Sequence, residues 1–425
     1  MTISRRHFVS LTGAGALTLA APAIRTAQAA SPAKIGVLLP LSGPLASLGN
    51  DVLRGFQLAQ SFVNAKGGVF GAPVEFAQVD VPGSTEATSQ AQRLITSDRV
   101  KVIIGSYASA ISFAASQVAE RNKVVYFEQG AVADDITSRG FKYLFRFIYP
   151  STELGRKCAE YAVEKVIPGV GLTAANAKVA ILTENSNNGT AVGAGAKAYL
   201  TEKGINLVDH SSYDFKTNDL SSMVQRYKSL EVDILIAEQY TPDAILFWRQ
   251  AREAGLKLKA MIGNGGGHNV GDFADALGDD VNGILNTGTS VYINPDALQP
   301  DTAALFKRFH EEYPKMFEGR KPSAHSGMGF NAMYTVLNDI LPAAGSMDTE
   351  KIREAALAQD KPIGSSIVGW GLKFDPKTQN NTRAFPTYDQ WQNKQIQSIG
   401  PEPFGIAKKT TMPLPDWGQR ANVGQ

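Results

Sequence analysis

The residues that invite a chemical reading first are in MIGNGGGHNVGDF, Met261–Phe273, where Gly263 and Gly265–Gly267 are clustered with Asn264 and His268 behind a short apolar run. Such a stretch could cradle phosphate, form a metal corner, or let backbone approach another group. A dinucleotide fingerprint fails by one residue, because His268 stands where the third glycine of G-x-G-x-x-G belongs. A P-loop fails as well, since no Lys-Ser or Lys-Thr pair follows. The histidines at 7, 210, 268, 310 and 325 show no H-x-x-x-H spacing and join no cysteine pair, so no metal is expected and His268 reads as a loop or core residue. No G-x-S-x-G elbow is present, and Cys158 lies in the helical stretch CAEYAVEKV, where packing is its expected role. Nothing pairs a nucleophile with a base, and no cofactor is expected.

These residues sit in a chain that alternates short apolar runs with amphipathic stretches. From Lys34 the order is KIGVLLP, DVLRGFQLAQSFVNAKGG, VEFAQVD, TEATSQAQRLITSD, VKVIIG, SAISFAASQVAERN and VVYFEQ. Strand-like runs joined through helices of ten or more residues predict parallel sheets built from βαβ units. Val52, Phe56, Ala59 and Val63 fall three or four apart and predict one buried helix face. A second series of the same kind begins at AKVAILTEN and runs to GILNTGT, so two α/β lobes are expected, separated near Phe147–Ser151. Helices are expected at Thr302–Tyr313, Gly327–Leu341 and Asp348–Leu357, and a β-hairpin over Gly371–Ile399.

At 425 residues with 43% hydrophobic content the chain can fill two cores. A formal charge of +2, with Lys and Arg spread along the chain, gives no footprint for nucleic acid. The first residues differ from the rest: Ser4-Arg5-Arg6-His7-Phe8, a small apolar stretch from Leu11 to Ala23, then Ala27-Gln28-Ala29. This pattern predicts a twin-arginine signal peptide cleaved after Ala29; the other reading, a buried N-terminal helix, lacks an amphipathic period. Its removal takes three of the 42 basic residues and none of the 40 acidic ones, so the basic excess belongs to the leader. A single cysteine makes no internal disulfide. No later segment has eighteen uninterrupted apolar residues, so a soluble exported product is expected.

In parallel α/β lobes, ligands bind beyond the carboxyl ends of strands. The loops there are GPLASLG, GSYASA, EQGAVADD, ENSNNG, EQYTPDA and GNGGGHN. Their Ser, Asn, Tyr and Gly residues offer neutral hydrogen-bonding groups to a small polar ligand, or merely cap helices. Leu48, Tyr107 and Asn264 are pocket candidates by their place in these loops.

In the order of its pieces the mature chain resembles the type I periplasmic solute-binding proteins of ABC importers, within them the branched-chain amino-acid (leucine/isoleucine/valine-binding) group. IGVLLPLSGPLASLGNDVLRGFQLAQSFVNAKGGVFGAPVEF carries the resemblance most specifically, followed by IIGSYASA, FEQGAVADDITSRGFKYLFR, ILTENSNNGTAVG and EQYTPDAILFWRQAREAGLK; it covers Lys34–Ile399. The resemblance implies two Rossmann-like lobes joined by three hinge crossovers, with the ligand cleft between them. It assigns residues 30–149 and 292–367 to one lobe and 150–291 and 368–425 to the other. By position, Ser109 matches the serine that holds a ligand carboxylate, Ala131 and Val132 match residues offering backbone groups, Asn188 stands where an aromatic residue is frequent, and Tyr240 matches a pocket tyrosine. The acid that meets a ligand ammonium falls on Gly265. A buried ammonium without a counter-charge costs several kcal/mol, so another acid is needed, and Glu128 at the end of VVYFE is the leading candidate. Glu128 could equally be solvated, act as a cap, or pair with Arg146, and Glu184 and Glu238 also end strands. The implied partners are a small polar solute, an amino acid or an amide- or amino-acid-like compound, and an inner-membrane permease, with the protein a monomer. A sensor delivering its liganded state to a signalling receptor, and an exported enzyme, are the alternatives.

Overall fold

The computed structural model describes residues 32–424; the leader expected over Met1–Ala29 lies outside the described residues. The β-branched runs become strands that are buried along most of their length: β1 (Ala33–Leu39), β3 (Val102–Gly105) and β4 (Val125–Glu128). Burial on both faces is what a parallel sheet covered by helices requires. With β2 (Val74–Asp80) and β5 (Leu144–Arg146) they form a five-stranded parallel sheet in the order β2-β1-β3-β4-β5. The helices α1 (Ala46–Asn64), α2 (Ser84–Thr96) and α3 (Ser109–Arg121) make the crossovers. Val52, Phe56, Ala59 and Val63 of α1 are all buried, so the three-and-four spacing becomes one core face. Burial of Phe56 alone is worth about 1.5–3 kcal/mol.

The second lobe repeats the plan. Strands β6 (Val179–Glu184), β7 (Leu207–Tyr213), β8 (Ile234–Glu238), β9 (Ala260–Asn264) and β10 (Leu285–Gly288) are parallel; β11 (Thr387–Gln392) and β12 (Gln395–Gly400) add antiparallel at the edge. The order is β12-β11-β10-β9-β8-β6-β7. Its helices are α4 (Ser151–Tyr161), which continues through a π turn into α5 (Ile167–Gly169), then α6 (Asn187–Glu202), α7 (Ser221–Leu230), α8 (Thr241–Glu253) and α9 (Gly271–Leu277).

After β10 the chain returns to the first lobe through α10 (Pro300–Met316), α11 (Ala324–Thr335), α12 (Leu341–Ala344) and α13 (Thr349–Leu357), with α11 packed along α1. These lengths follow the expected helical segments closely. The last crossover comes later than the expected boundary after Ile367. Phe374 packs edge-on against Phe145 and Phe147, and Arg146 Nε donates to Asn380 Oδ1 at 2.9 Å, so this stretch is still bound to the first sheet. The expected hairpin is correspondingly shorter, confined to β11 and β12. Asn393 and Lys394, both at positive φ, form its two-residue turn. The three passages lie side by side; Tyr149 in the first and Thr289 in the second share a hydrogen bond between their hydroxyls at 3.1 Å.

Candidate functional site

Strand ends from both sheets meet across a cleft. Tyr107, Ser109 and Val132 line it from the first lobe and Asn188, Glu238, Tyr240 and Gly265 from the second. Tyr149 and Thr289 contribute from the passages, and His325 and Met328 from α11. The cleft is narrow, a space of about 50 Å³ between the lobes that is partly open to solvent.

On the first-lobe wall, α3 begins at Ser109 without a side-chain cap, so its first-turn amides and the positive end of its dipole lie at the cleft. Ser109 Oγ accepts from Ala133 N at 3.2 Å, which leaves its own proton to donate. This wall is suited to an anionic oxygen. The opposite wall is acidic. Glu238 closes β8 and is buried; Asn188 Nδ2 donates to its Oε1 at 2.9 Å, and Asn188 is itself held by Ser151 Oγ at 2.8 Å. Oε2 of Glu238 has no hydrogen-bond partner. Burial first, and then the neighbouring Glu184, hold the Glu238 carboxyl well above the usual carboxylate range. Glu184 is committed elsewhere: it accepts from Ser186 N and Oγ, both at 2.6 Å, and from Gly189 N at 2.9 Å, fixing the start of α6.

No lysine or arginine lines the cleft among the described residues. His325 is buried, which pushes its imidazole down to about 4 and leaves it neutral at pH 7. The site therefore offers one buried carboxyl group, several neutral donors and one helix start.

The glycine run forms the second-lobe wall where β9 ends. Gly265 has φ +62°, a left-handed conformation that favours glycine, and a Cβ there would lie 3.5 Å from Leu154 Cδ2 and 3.7 Å from Glu238 Oε2. A Cβ on Gly266 would collide with the Tyr107 hydroxyl and sit 3.1 Å from His325 Nε2, both on the first lobe. Here backbone of one lobe touches side chains of the other.

Six of the ten sequence candidates line the cleft: Tyr107, Ser109, Val132, Asn188, Tyr240 and Gly265. Leu48 is buried in the first-lobe core, Asn264 is fully buried behind Gly265, and Ala131 is buried with its N–H directed to Glu128 at 2.7 Å. Glu128 is corrected in both its expected roles. It does not line the cleft, and Arg146 turns instead to the Val132 and Ala133 carbonyls at 2.8 and 2.7 Å. The Glu128 oxygens are occupied by protein donors because the strand ends inside a ring of loop amides. Sequence reasoning left Glu238 undecided and missed Tyr149, Thr289, His325 and Met328. The tyrosine and threonine sit in hinge passages, and the α11 residues lie far along the chain, so no local pattern marks them.

Among the described residues no group of three or more His, Cys, Asp or Glu could hold a metal ion, and no helix is long and apolar enough to cross a membrane. Residues 32–386 match the family model described as periplasmic binding protein. The chain is 34% identical over 403 residues to Leu/Ile/Val-binding protein homolog 7 of Brucella suis biovar 1, covering 95% of this chain and 98% of that one. It is 35% identical over 379 residues to homolog 8 of Brucella abortus, covering 88% and 92%. Among solved structures, a leucine-binding protein, LivK, from Thermotoga maritima superposes with a TM-score of 0.74 at 25% identity, covering 86% of this chain and 97% of that one. Two α/β lobes with a cleft between them, together with a family match over most of the length, place this chain in the periplasmic binding protein family.

Proposed function

We propose that this protein is the extracytoplasmic solute-binding component of an ABC importer, capturing an amino acid or amino-acid-like zwitterion by hinge closure and delivering it to an inner-membrane permease. The observation that carries this reading is the free Oε2 of buried Glu238, opposite a helix start and a serine hydroxyl on the other lobe. A protonated nitrogen at Glu238 would supply the missing partner, and a carboxylate at Ser109 and the α3 amides would be held without a cationic side chain. With one carboxylate and no lining lysine or arginine, the cleft disfavours solutes of net negative charge. Names of relatives point the same way: the Brucella proteins are called Leu/Ile/Val-binding homologs, and the Thermotoga protein is called leucine-binding. Binding and closure require no covalent step. Export to the periplasm through the Met1–Ala29 leader belongs to the same reading.

The test is thermal unfolding of protein stripped of ligand by denaturation and refolding, against L-leucine, other amino acids, short amides, benzoate and polyols. A solute present at a hundred times its Kd stabilises by about 2.7 kcal/mol, which gives a clear rise in Tm. A rise with amino acids and none with benzoate is expected. Stabilisation by benzoate alone would overturn the zwitterion reading.

A further inference from the structure

Glu128 is fully buried and meets only donors. Its Oε2 accepts from Ser106 N and Ser112 Oγ, both at 2.6 Å. Its Oε1 accepts from Gly130 N at 2.8 Å, Ala131 N at 2.7 Å and, more weakly, Tyr107 N at 3.4 Å. Four of the five are backbone N–H groups, which cannot accept in return. They belong to two separate loops, one after β3 and one after β4. These same loops carry Tyr107, Ser109, Gly130 and Val132 to the cleft. Tyr107 is held at φ +79°, a conformation costly for a residue with a Cβ, so surrounding contacts must impose it.

We infer that Glu128 is a positioning residue: its carboxylate ties the loop after β3 to the loop after β4 and so sets the first-lobe half of the solute site before any solute arrives. This rests on the cleft being the solute site, and extends it by assigning a role to an acid that does not touch the cleft. A buried carboxylate among five donors makes no salt bridge among the described residues; the aligned amide dipoles and the Ser112 hydroxyl satisfy its oxygens, with the buried Arg146 guanidinium nearby, and the two loops must keep their mutual geometry to supply these donors. A glutamine would turn an NH2 group against at least one N–H on whichever side it faced, so it cannot reproduce the knot.

The experiment compares wild type with Glu128→Gln and Ser112→Ala by hydrogen exchange, and by calorimetric titration with L-leucine well below each variant's Tm. In Glu128→Gln the amides of residues 105–112 and 129–133 are expected to exchange about tenfold faster, with β6 and β8 unchanged, and the affinity to fall about tenfold, the scale of one unsatisfied buried polar group. A merely structural role would lower Tm and leave the affinity of the folded protein intact. Wild-type exchange in both loops together with wild-type affinity would overturn the inference. If Glu128→Gln does not fold, Ser112→Ala decides, because it removes one donor and leaves the four N–H groups: faster exchange over residues 105–112 supports the inference, and unchanged exchange overturns it. Should wild type not bind L-leucine, the amino-acid reading falls by itself, and the exchange comparison still settles Glu128.

Discussion

A Cβ built on Gly265 would lie 3.7 Å from Oε2 of Glu238, so this carboxyl group stands beside a position whose left-handed backbone, φ +62°, disfavours any side chain, an acid included. Gly265 follows β9 and Glu238 ends β8, neighbouring parallel strands in register at Glu238 and Asn264. In the proposed reading, the acid missing from one strand end is supplied by the next strand over, and Glu238 takes the place expected of Glu128 as the counter-charge.

Glu238→Gln should keep the fold, because Asn188 can flip its amide to serve the new side chain, but should remove the charge opposite a ligand ammonium. Breaking one side of a buried ion pair costs about 3–5 kcal/mol, or roughly two to four orders of magnitude in Kd. Titration of both proteins with L-leucine measures it. An unchanged Kd would exclude Glu238 as the ammonium partner.

Gly266→Ala should act on closure rather than on solute chemistry. The added methyl would collide with the Tyr107 hydroxyl and crowd His325 Nε2 only when the lobes meet as they do here. Open protein should be unaffected in stability, while affinity should drop about tenfold or more, the usual cost of overpacking a close contact. Small-angle X-ray scattering with saturating L-leucine should show a larger radius of gyration than wild type.

Much of this could be read in the chain beforehand, and the reasons differ by level. The αβ alternation and the face made by Val52, Phe56, Ala59 and Val63 depend on local periodicity, so both lobes were legible. Loops at strand ends named most of the cleft, including Tyr107, Ser109 and Tyr240. Whether a strand-end acid faces the cleft was not legible. Glu128, Glu184 and Glu238 each close a buried strand, yet the first two are surrounded by local donors and the third is left with a free oxygen. The conformation of the loop two to five residues downstream, and for Glu128 also of the segment after β3, makes that difference. The extent of the terminal hairpin was misjudged because residues that alternate like a strand, around Phe374, dock on the other lobe.

Asp389 offers a stability test remote from the solute. It is fully buried, and burial, only partly offset by Thr387 and Asn286, moves its carboxyl from 3.8 to about 7. The folded state therefore binds a proton that the unfolded chain has lost across that interval. The contribution of this group to stability is complete below pH 3.8 and disappears as pH rises through about 7. Asp389→Asn should stabilise the protein at pH 8, by about 1–4 kcal/mol on the linkage scale, and the gain should shrink towards pH 4. Urea unfolding at the two pH values reads the difference, and an Asp389→Asn gain that grows on acidification would contradict the assignment.

Solute binding itself should be linked to protons through Glu238. Burial first, and then the neighbouring Glu184, raise its carboxyl well above the usual carboxylate range in the ligand-free protein, which favours the protonated form. An ammonium group requires the ionised form and lowers this pKa on arrival. Binding then releases a proton, and affinity for L-leucine should fall as pH falls, rather than as it rises, because the solute ammonium keeps its charge throughout. Calorimetry at pH 6 in buffers of different ionisation enthalpy should reveal the release as a buffer-dependent heat. In Glu238→Gln that dependence should vanish, whereas its persistence would move the proton to another group, with Asp243, raised by burial to about 7, next in line.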